Sequence, residues 1–210
     1  MRNYYSKEDK AMEVLLSFLL ASILLTLAPG PDVLLVLSES VIRGSKAGLL
    51  LAFGLVCGLV FHTSIIVLGW GQFLGAYPQI TQGAKIVGSI YFIYLSIQIF
   101  RNLDQKNLPT EPNSHKNFKK GLIMNLLNPK VSLFFWLFFP GFLFSEELSL
   151  GVQYTILGGI FMLQASIVFY LISVTASKIS PFILSRSNFM YWANFGQGVL
   201  LICIAIYFLV

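Results

Sequence analysis

Long apolar runs constrain the fold of this chain more than any other feature of its sequence. A helix needs roughly 20 predominantly apolar residues to cross the hydrocarbon core of a bilayer. Six stretches approach or exceed that length, at 12–28, 46–75, 83–100, 121–144, 150–177 and 189–210. Charged residues make up only 11% of the chain, whereas an ordinary soluble domain carries about a quarter. The sequence therefore predicts an all-α integral membrane protein with six transmembrane helices.

The positions of Lys and Arg predict how these helices are oriented, because basic flanks tend to stay in the cytoplasm. The connections after the first, third and fifth runs, counted together with Lys46 at the start of the second run, hold nine basic residues, while the charged residues of the loop at 145–150 are both acids, Glu146 and Glu147. Those connections are therefore expected in the cytoplasm, with both termini outside. Arg2, Lys7 and Lys10 in the N-terminal tail oppose this orientation.

The N-terminal tail has mixed charge and no small-x-small cleavage pattern, so we expect the first run to be retained as a helix.

A proline-based interruption recurs at corresponding places in the two halves of the chain. The first is the Pro-Gly-Pro-Asp run at 29–32 and the second is the Asn-Pro-Lys run at 128–130. Three spans per half reverse the direction of the chain. We therefore expect two inverted three-helix repeats, 1–101 and 118–210, each with a proline-broken first helix and joined by a cytoplasmic linker at 102–117. Inverted repeats with broken helices are typical of secondary transporters.

The two interruptions are the predicted functional site. Proline removes a backbone donor and breaks the helix, and the unpaired backbone groups can then bind ionic parts of a substrate or a coupling ion. Asp32 and Lys130 directly follow the breaks, although an ionisable group at mid-helix costs about 2.5 to 3.5 kcal/mol on insertion scales. One hypothesis is that Lys130 faces the carboxylate and Asp32 the ammonium of a zwitterion. Alternatively Asp32 carries a coupling proton, or the two residues only neutralise each other or snorkel to opposite surfaces.

Other polar residues in the runs allow two interpretations each. His62 is a candidate proton carrier, since histidine ordinarily titrates near pH 6.5, but a neutral ring bonded to a backbone carbonyl is equally consistent. Glu39 and Arg43 share a helical stripe with Asp32 and either line a hydrophilic exit or form an ordinary i,i+4 ion pair. Gly54 and Gly58 form a GxxxG pattern that favours close helix packing.

The interruptions and their surroundings resemble the LysE/RhtB family of bacterial amino-acid exporters over nearly the whole chain. The resemblance rests on Ala28-Pro29-Gly30-Pro31-Asp32, Arg43-Gly44 and Ala47-Gly48, and on Gly121, Asn125, Asn128-Pro129-Lys130, Phe134-Phe135 and Pro140. Ser96 and Cys203 stand where the family has glycine. The resemblance implies amino-acid efflux driven by the proton gradient, a bacterial inner-membrane location and a homodimer. The site residues it supports are Pro29, Gly30, Pro31, Asp32, Asn128, Pro129 and Lys130.

Two other functions are weaker alternatives. A membrane thiol electron carrier needs a redox pair, but Cys57 and Cys203 fall in non-equivalent helices of the two halves. A cation exporter would favour a Cys or His cluster, which the sequence lacks. The sequence has neither HExxH nor GxSxG, so we expect no enzyme, no metal and no cofactor. Its basic residues lie in loops, which does not indicate nucleic-acid binding. Basic, neutral and modified amino acids all remain open as substrates.

Overall fold

A computed structural model describes residues 7–28, 30–103, 117–178 and 189–209, and every regular element within them is a helix. The first half contains α1 (Lys7–Leu27), α2 (Pro31–Arg43), α3 (Ser45–Ile65, continued by a π turn over Ile66–Trp70), α4 (Gly71–Ala76) and α5 (Pro78–Arg101). The second half contains α6 (Asn117–Leu126), α7 (Pro129–Leu133, continued by a π turn over Phe134–Phe138 and a 3-10 turn over Phe139–Phe142), α8 (Leu150–Lys178) and α9 (Phe189–Leu209). Each of the six apolar runs overlaps one or more of these helices, whereas α2 lies between the first and second runs, where no apolar run was predicted.

Within the described residues, three helices are long and apolar enough to cross a membrane, namely α1, α3 with its π turn, and α8. A fourth apolar stretch consists of α6 and α7, which meet at a bend of 46°. The apolar part of α9 is shorter, covering Asn194–Ile206. The predicted all-α membrane protein is therefore confirmed for the part of the chain that the structure describes. The number of six spans stays a prediction.

Both predicted breaks lie between helices, and each following helix begins with a proline. α1 ends at Leu27 and α2 begins at Pro31, with Gly30 extended at φ −100° and ψ −177°. α6 ends at Leu126 and α7 begins at Pro129. Proline suits a first helical position because the missing N–H would have no intrahelical partner there. The two predicted helix breaks are therefore observed at the proline motifs, and their place in two inverted repeats stays a prediction.

Helices from before and after the segment 104–116 pack against one another. α6 lies along α3, while α1 and α2 lie along α8. α3 and α8 also contact each other, and α5 packs on α9. Each broken helix thus packs against the long second helix of the other half, which brings the two breaks towards the centre of the molecule.

Glycines let α3 and α6 touch through their backbones. A Cβ added at Gly54 would lie 2.1 Å from the Phe118 carbonyl oxygen, and one added at Gly121 would lie 2.1 Å from the Leu51 carbonyl oxygen. A Cβ at Gly58 would meet the Asn125 side chain at 2.4 Å. The GxxxG pattern on α3 therefore serves packing within the chain, as small residues commonly do between membrane helices.

An aromatic cluster fills the space beside the second break. Phe134 and Phe135 on the π turn of α7 pack against Phe161 of α8, with ring centroids 5.7 and 5.1 Å apart. Phe18 of α1 meets Phe139 edge-on at 5.2 Å. All five side chains are at most 3% exposed. Rings in such offset and edge-on arrangements contribute beyond their buried area, so the cluster holds α1, α7 and α8 together.

The loop between α7 and α8 is organised by one side chain. Gln153 accepts hydrogen bonds from the backbone N–H groups of Phe144 (2.9 Å) and Ser145 (3.0 Å), and its amide donates to the carbonyls of Ser145 (2.8 Å) and Leu148 (2.9 Å). Lys7 lies 3.8 to 3.9 Å from the two acids that follow Ser145. The start of α1 and this loop therefore lie at the same end of the molecule.

Candidate functional site

The Lys130 ammonium joins the two breaks. From the first turn of α7 its Nζ donates to the carbonyl oxygens of Leu25 and Ala28 at 3.1 Å each, and to Asp32 Oδ1 at 3.3 Å. The side chains of Lys130 and Asp32 are only 4% and 5% exposed. The two predicted site residues that carry charge are therefore a buried, hydrogen-bonded ion pair.

The Leu25 carbonyl is available to Lys130 because of the first break. In a continuous helix this oxygen would accept from the N–H of residue 29, but residue 29 is a proline and has none. The end of α1 is also the negative end of its dipole, while Asp32 lies in the first, positive turn of α2. The ammonium and the carboxylate therefore each lie at the helix end that stabilises their charge. Pro29 itself falls outside the described residues.

Gly30 leaves room for this ion pair. A Cβ at this position would lie 2.7 Å from Asp32 Oδ1 and 3.0 Å from Lys130 Nζ. Its φ of −100° is accessible to any residue, so space and not backbone conformation requires glycine. Any larger side chain would push the carboxylate and the ammonium aside.

At the second break, too, a backbone carbonyl four residues before the proline lies beside a polar side chain from a distant helix. The Asn125 carbonyl stands four residues before Pro129, as the Leu25 carbonyl stands four residues before Pro29. It accepts from the Asn128 N–H at 3.0 Å and lies 3.3 Å from Nε2 of His62. His62 is fully buried. The ring therefore lies against a backbone carbonyl, as in the second interpretation of the sequence, in which His62 bonds to such a carbonyl.

Asn128 shapes the start of α7. Its side-chain Oδ1 accepts from the Lys130 N–H at 3.0 Å, and its carbonyl accepts from the Ser132 N–H at 3.0 Å. An N-cap of this kind stabilises a helix by about 1 kcal/mol. Asn128 therefore fixes the first turn of α7, from which the Lys130 side chain crosses to α1.

Each break thus receives a polar side chain from the opposite half. Lys130 of the second half caps the first break, and His62 of the first half faces the second. Gln164 on α8 adds another contact to the last turns of α1, donating to the Ser22 carbonyl at 3.3 Å and the Thr26 hydroxyl at 3.0 Å. Separating the halves would leave these buried carbonyls in need of new partners.

A small cavity opens beside the ion pair. Asp32, Lys130, Thr26 and Asn125 supply its polar lining; Leu25, Leu59, Val131, Phe161, Ala165 and Phe169 supply the apolar part. Its volume is about 10 Å³, which is roughly the room that one water molecule needs. A larger molecule therefore enters only when the surrounding helices move apart.

A second charge cluster, centred on the buried Glu39, lies where α2 ends and α6 begins. Glu39 is 3.5 Å from Arg43, 3.6 Å from Lys120 and 3.3 Å from the Asn117 amide, which also donates to the Ala47 carbonyl. The predicted i,i+4 pair of Glu39 and Arg43 is confirmed. Lys120 and Asn117 were not predicted as its partners, because no local spacing connects residues on separate helices.

The predicted site residues are largely gathered at one place. Gly30, Asp32, Asn128 and Lys130 surround the two breaks, and the prolines at 31 and 129 begin the following helices. Sequence reasoning missed the Leu25 and Asn125 carbonyls. The available signal was the position four residues before each proline, since that carbonyl loses its helical donor.

The two cysteines occupy different surroundings. Cys57 on α3 is partly buried and Cys203 on α9 is exposed, and neither forms a disulfide. One belongs to the second long helix of its half and the other to the last. Thiol chemistry therefore gains no support from their placement.

The contact between His62 and Asn125 leads to a stability prediction. In a His62→Leu variant the Asn125 carbonyl keeps one donor, the Asn128 N–H, and we expect the free energy of unfolding to fall by about 1 to 2 kcal/mol. His62→Gln retains a donor and should lose less than half as much. Denaturant titration in detergent, followed by tryptophan fluorescence, measures both. Equal stability of the Leu variant and the wild type would contradict a role for this contact.

Comparison with known proteins gives a consistent family assignment. The family model described as LysE type translocator matches residues 23–210. An uncharacterized membrane protein of Pseudomonas aeruginosa is 27% identical over 194 residues, covering 89% of this chain and 90% of its own length. No solved structure matches the chain significantly.

Two further relatives cover shorter parts of the chain. The homoserine/homoserine lactone efflux protein of Salmonella typhimurium is 30% identical over 145 residues, which is 68% of this chain and 70% of that protein. An uncharacterized membrane protein of Bacillus subtilis is 30% identical over 144 residues, 63% of this chain and 69% of its own length.

Proposed function

We propose, from the premise that this chain belongs to the LysE type translocator family, that it is a secondary transporter that exports amino acids from the cytoplasm. One of its relatives is named as an efflux protein for homoserine and homoserine lactone. The single observation that carries the proposal is the buried ion pair of Asp32 and Lys130, which bridges the two helix breaks beside a cavity.

The ion pair suits a zwitterion because it holds one charge of each sign. When the helices separate, a substrate carboxylate can take the place of Asp32 at the Lys130 ammonium, and a substrate ammonium can take the place of Lys130 at Asp32. The bound zwitterion then satisfies both buried charges, which would otherwise be strongly destabilising when unpaired. The closed pair and the loaded site are therefore alternative ways of neutralising the same two residues.

The exchange of packing partners between the halves supports two inverted repeats, 1–101 and 118–210, with 102–117 as the linker. α6 on α3 corresponds to α1 on α8, and the pairs α3–α8 and α5–α9 each join equivalent helices. Transporters built in this way move one repeat against the other around a fixed site near the membrane midplane. Lys130 and His62 would then contact the backbone carbonyls at the breaks in one state and lose these contacts in the other.

Proton antiport completes the proposal. Protonation of Asp32 would remove the charge that holds Lys130 and so favour exchange of substrate for a proton, with His62 as the second candidate carrier.

We place the protein in a bacterial inner membrane, as a homodimer. The cluster around Glu39 would then face the cytoplasm, and the termini and the α7–α8 loop would lie outside, following the excess of basic residues in the connections.

Efflux from proteoliposomes tests this function. The purified protein is reconstituted with the twenty amino acids and homoserine inside, and their loss is followed by mass spectrometry with and without an inward proton gradient. We expect one or a few amino acids to leave faster than from protein-free liposomes, and at least tenfold faster with the gradient. Absence of any flux would reject amino-acid export, and flux independent of the gradient would reject proton coupling.

A further inference from the structure

We infer that the site accepts amino acids with uncharged side chains, and that Asn125 contacts the side chain of the substrate. This inference rests on the proposed function. Its first observation is the charge of the cavity lining, which holds one acid, Asp32, and one base, Lys130. The α-carboxylate and α-ammonium of any amino acid use both. A charged side chain would therefore enter a cavity with no remaining counter-ion.

Among the residues that the structure describes, no other acid is positioned to serve as that counter-ion. Glu39 is the nearest further acid along α2, but Arg43, Lys120 and the Asn117 amide already bind its two oxygens. The other acids of the described residues lie before residue 14 or in the loop at 145–150. A lysine or ornithine side chain would therefore be held without a partner, and ionisable groups in such surroundings are strongly disfavoured.

The rest of the lining fits a neutral side chain. Phe161, Ala165 and Phe169 stand at i, i+4 and i+8 on one stripe of α8 and form an apolar wall with Leu59 of α3. Ala165 is the smallest of the three and would leave the most room on this wall once the helices have moved apart. A short aliphatic or hydroxylated side chain meets no unpaired charge on this wall.

Asn125 is a polar side chain of the cavity lining with an unused hydrogen-bond acceptor. The Thr26 hydroxyl donates to the Ser22 carbonyl at 2.9 Å and accepts from Gln164 at 3.0 Å. The Asn125 Oδ1, in contrast, is buried without a hydrogen-bond partner among the described residues. A neutral amide can accept from a hydroxyl or donate to one, but it cannot neutralise a charge. Asn125 therefore favours neutral, hydroxyl-bearing side chains over charged ones.

The first test compares substrates with the unaltered protein in proteoliposomes. Efflux of serine, threonine, homoserine and leucine is measured beside efflux of lysine, ornithine, aspartate and glutamate. We expect charged side chains to be exported roughly 100-fold more slowly than the best neutral one, in line with the insertion cost of an unpaired charge. Export of lysine or glutamate within threefold of the best neutral substrate would overturn the inference while leaving amino-acid export intact. No flux of any amino acid would overturn the proposed function itself.

The second test adds an acid to the cavity lining in order to change the substrate specificity from neutral to basic amino acids. Asn125→Asp changes the charge of the lining with almost no change in shape, and we expect at least tenfold faster ornithine and lysine efflux than with the wild type. Gln98→Glu adds the same charge on an exposed position of α5 and should keep wild-type selectivity. If Asn125→Asp does not yield a monodisperse protein, Ala165→Asp places the acid on the apolar wall instead. A folded variant that exports homoserine but gains no ornithine efflux would overturn the inference.

Discussion

Replacing Asp32 and Lys130 together by neutral side chains of similar size, Asp32→Asn with Lys130→Met, is expected to give a folded protein that no longer exports amino acids. Replacing both members of a buried ion pair is often neutral for stability, whereas removing one member leaves an uncompensated charge and costs about 3 to 5 kcal/mol. If the pair binds the substrate, the double variant has lost both counter-charges, and export should fall at least 100-fold. Elution profile, thermal midpoint and efflux rate are measured on the same preparation.

The single variants are the matched controls for this prediction. Lys130→Met should lower the thermal midpoint more than the double variant does, because it leaves the buried Asp32 carboxylate unpaired. Asp32→Asn keeps the Lys130 bonds to the Leu25 and Ala28 carbonyls and controls for loss of the acid alone. A purely structural ion pair predicts a different result, in which the double variant regains both stability and transport. Recovery of transport in the double variant would therefore show that the two residues only neutralise each other.

Gly121→Val is expected to prevent correct assembly of α3 with α6. A Cβ at Gly121 would lie 2.1 Å from the Leu51 carbonyl oxygen and 3.1 Å from the Leu55 nitrogen, and backbone atoms cannot rotate away as a side chain can. Overpacking typically costs about 1 to 3 kcal/mol, and a clash with fixed backbone atoms is expected at the upper end of that range, about 3 kcal/mol. We therefore expect a thermal midpoint lower by about 6 to 12 °C, or a largely aggregated protein in size-exclusion chromatography.

Gly159→Val on α8 is the control for this prediction. A Cβ there would meet no atom within 4 Å, so the variant should remain monodisperse with a thermal midpoint within about 2 °C of the wild type. If Gly121→Val were as stable as Gly159→Val, the close contact between α3 and α6 would be wrong.

The sequence predicted the helices and their breaks because both depend on local properties. Apolar runs of sufficient length specify the helices, and the prolines at 31 and 129 specify where α2 and α7 begin. Pairing of Asp32 with Lys130 was one of the alternatives that the sequence left open, beside substrate binding and snorkelling. The structure confirms the pair with an Nζ to Oδ1 distance of 3.3 Å.

The remaining features of the site depend on contacts between distant residues. Lys130 bonds to a carbonyl 105 residues earlier in the chain, and His62 to one 63 residues later. Neither partner carries a side-chain signal, because the acceptor is the backbone. The kink at Gly69, with φ of 144°, was also not predicted, since a glycine within an apolar run is equally consistent with an unbroken helix.

The contacts of Lys130 with the first break and of His62 with the second also constrain how the site can open. Moving the halves apart takes Lys130 from the Leu25 and Ala28 carbonyls and His62 from the Asn125 carbonyl. A buried carbonyl that loses its donor is destabilised by about 1 to 3 kcal/mol unless water or substrate replaces it. Opening is therefore favoured by a ligand or by water that can donate at both breaks together.

Competition binding with blocked amino acids tests the central claim most directly. Binding of radiolabelled homoserine to the purified protein is competed by homoserine, by homoserine amide, which lacks the carboxylate, and by N-acetylhomoserine, which lacks the ammonium. If Lys130 and Asp32 bind the two poles of a zwitterion, each blocked compound should compete at least 100-fold more weakly than homoserine. Competition by either compound at a concentration close to that of homoserine would show that one of the two charges does not contact the substrate.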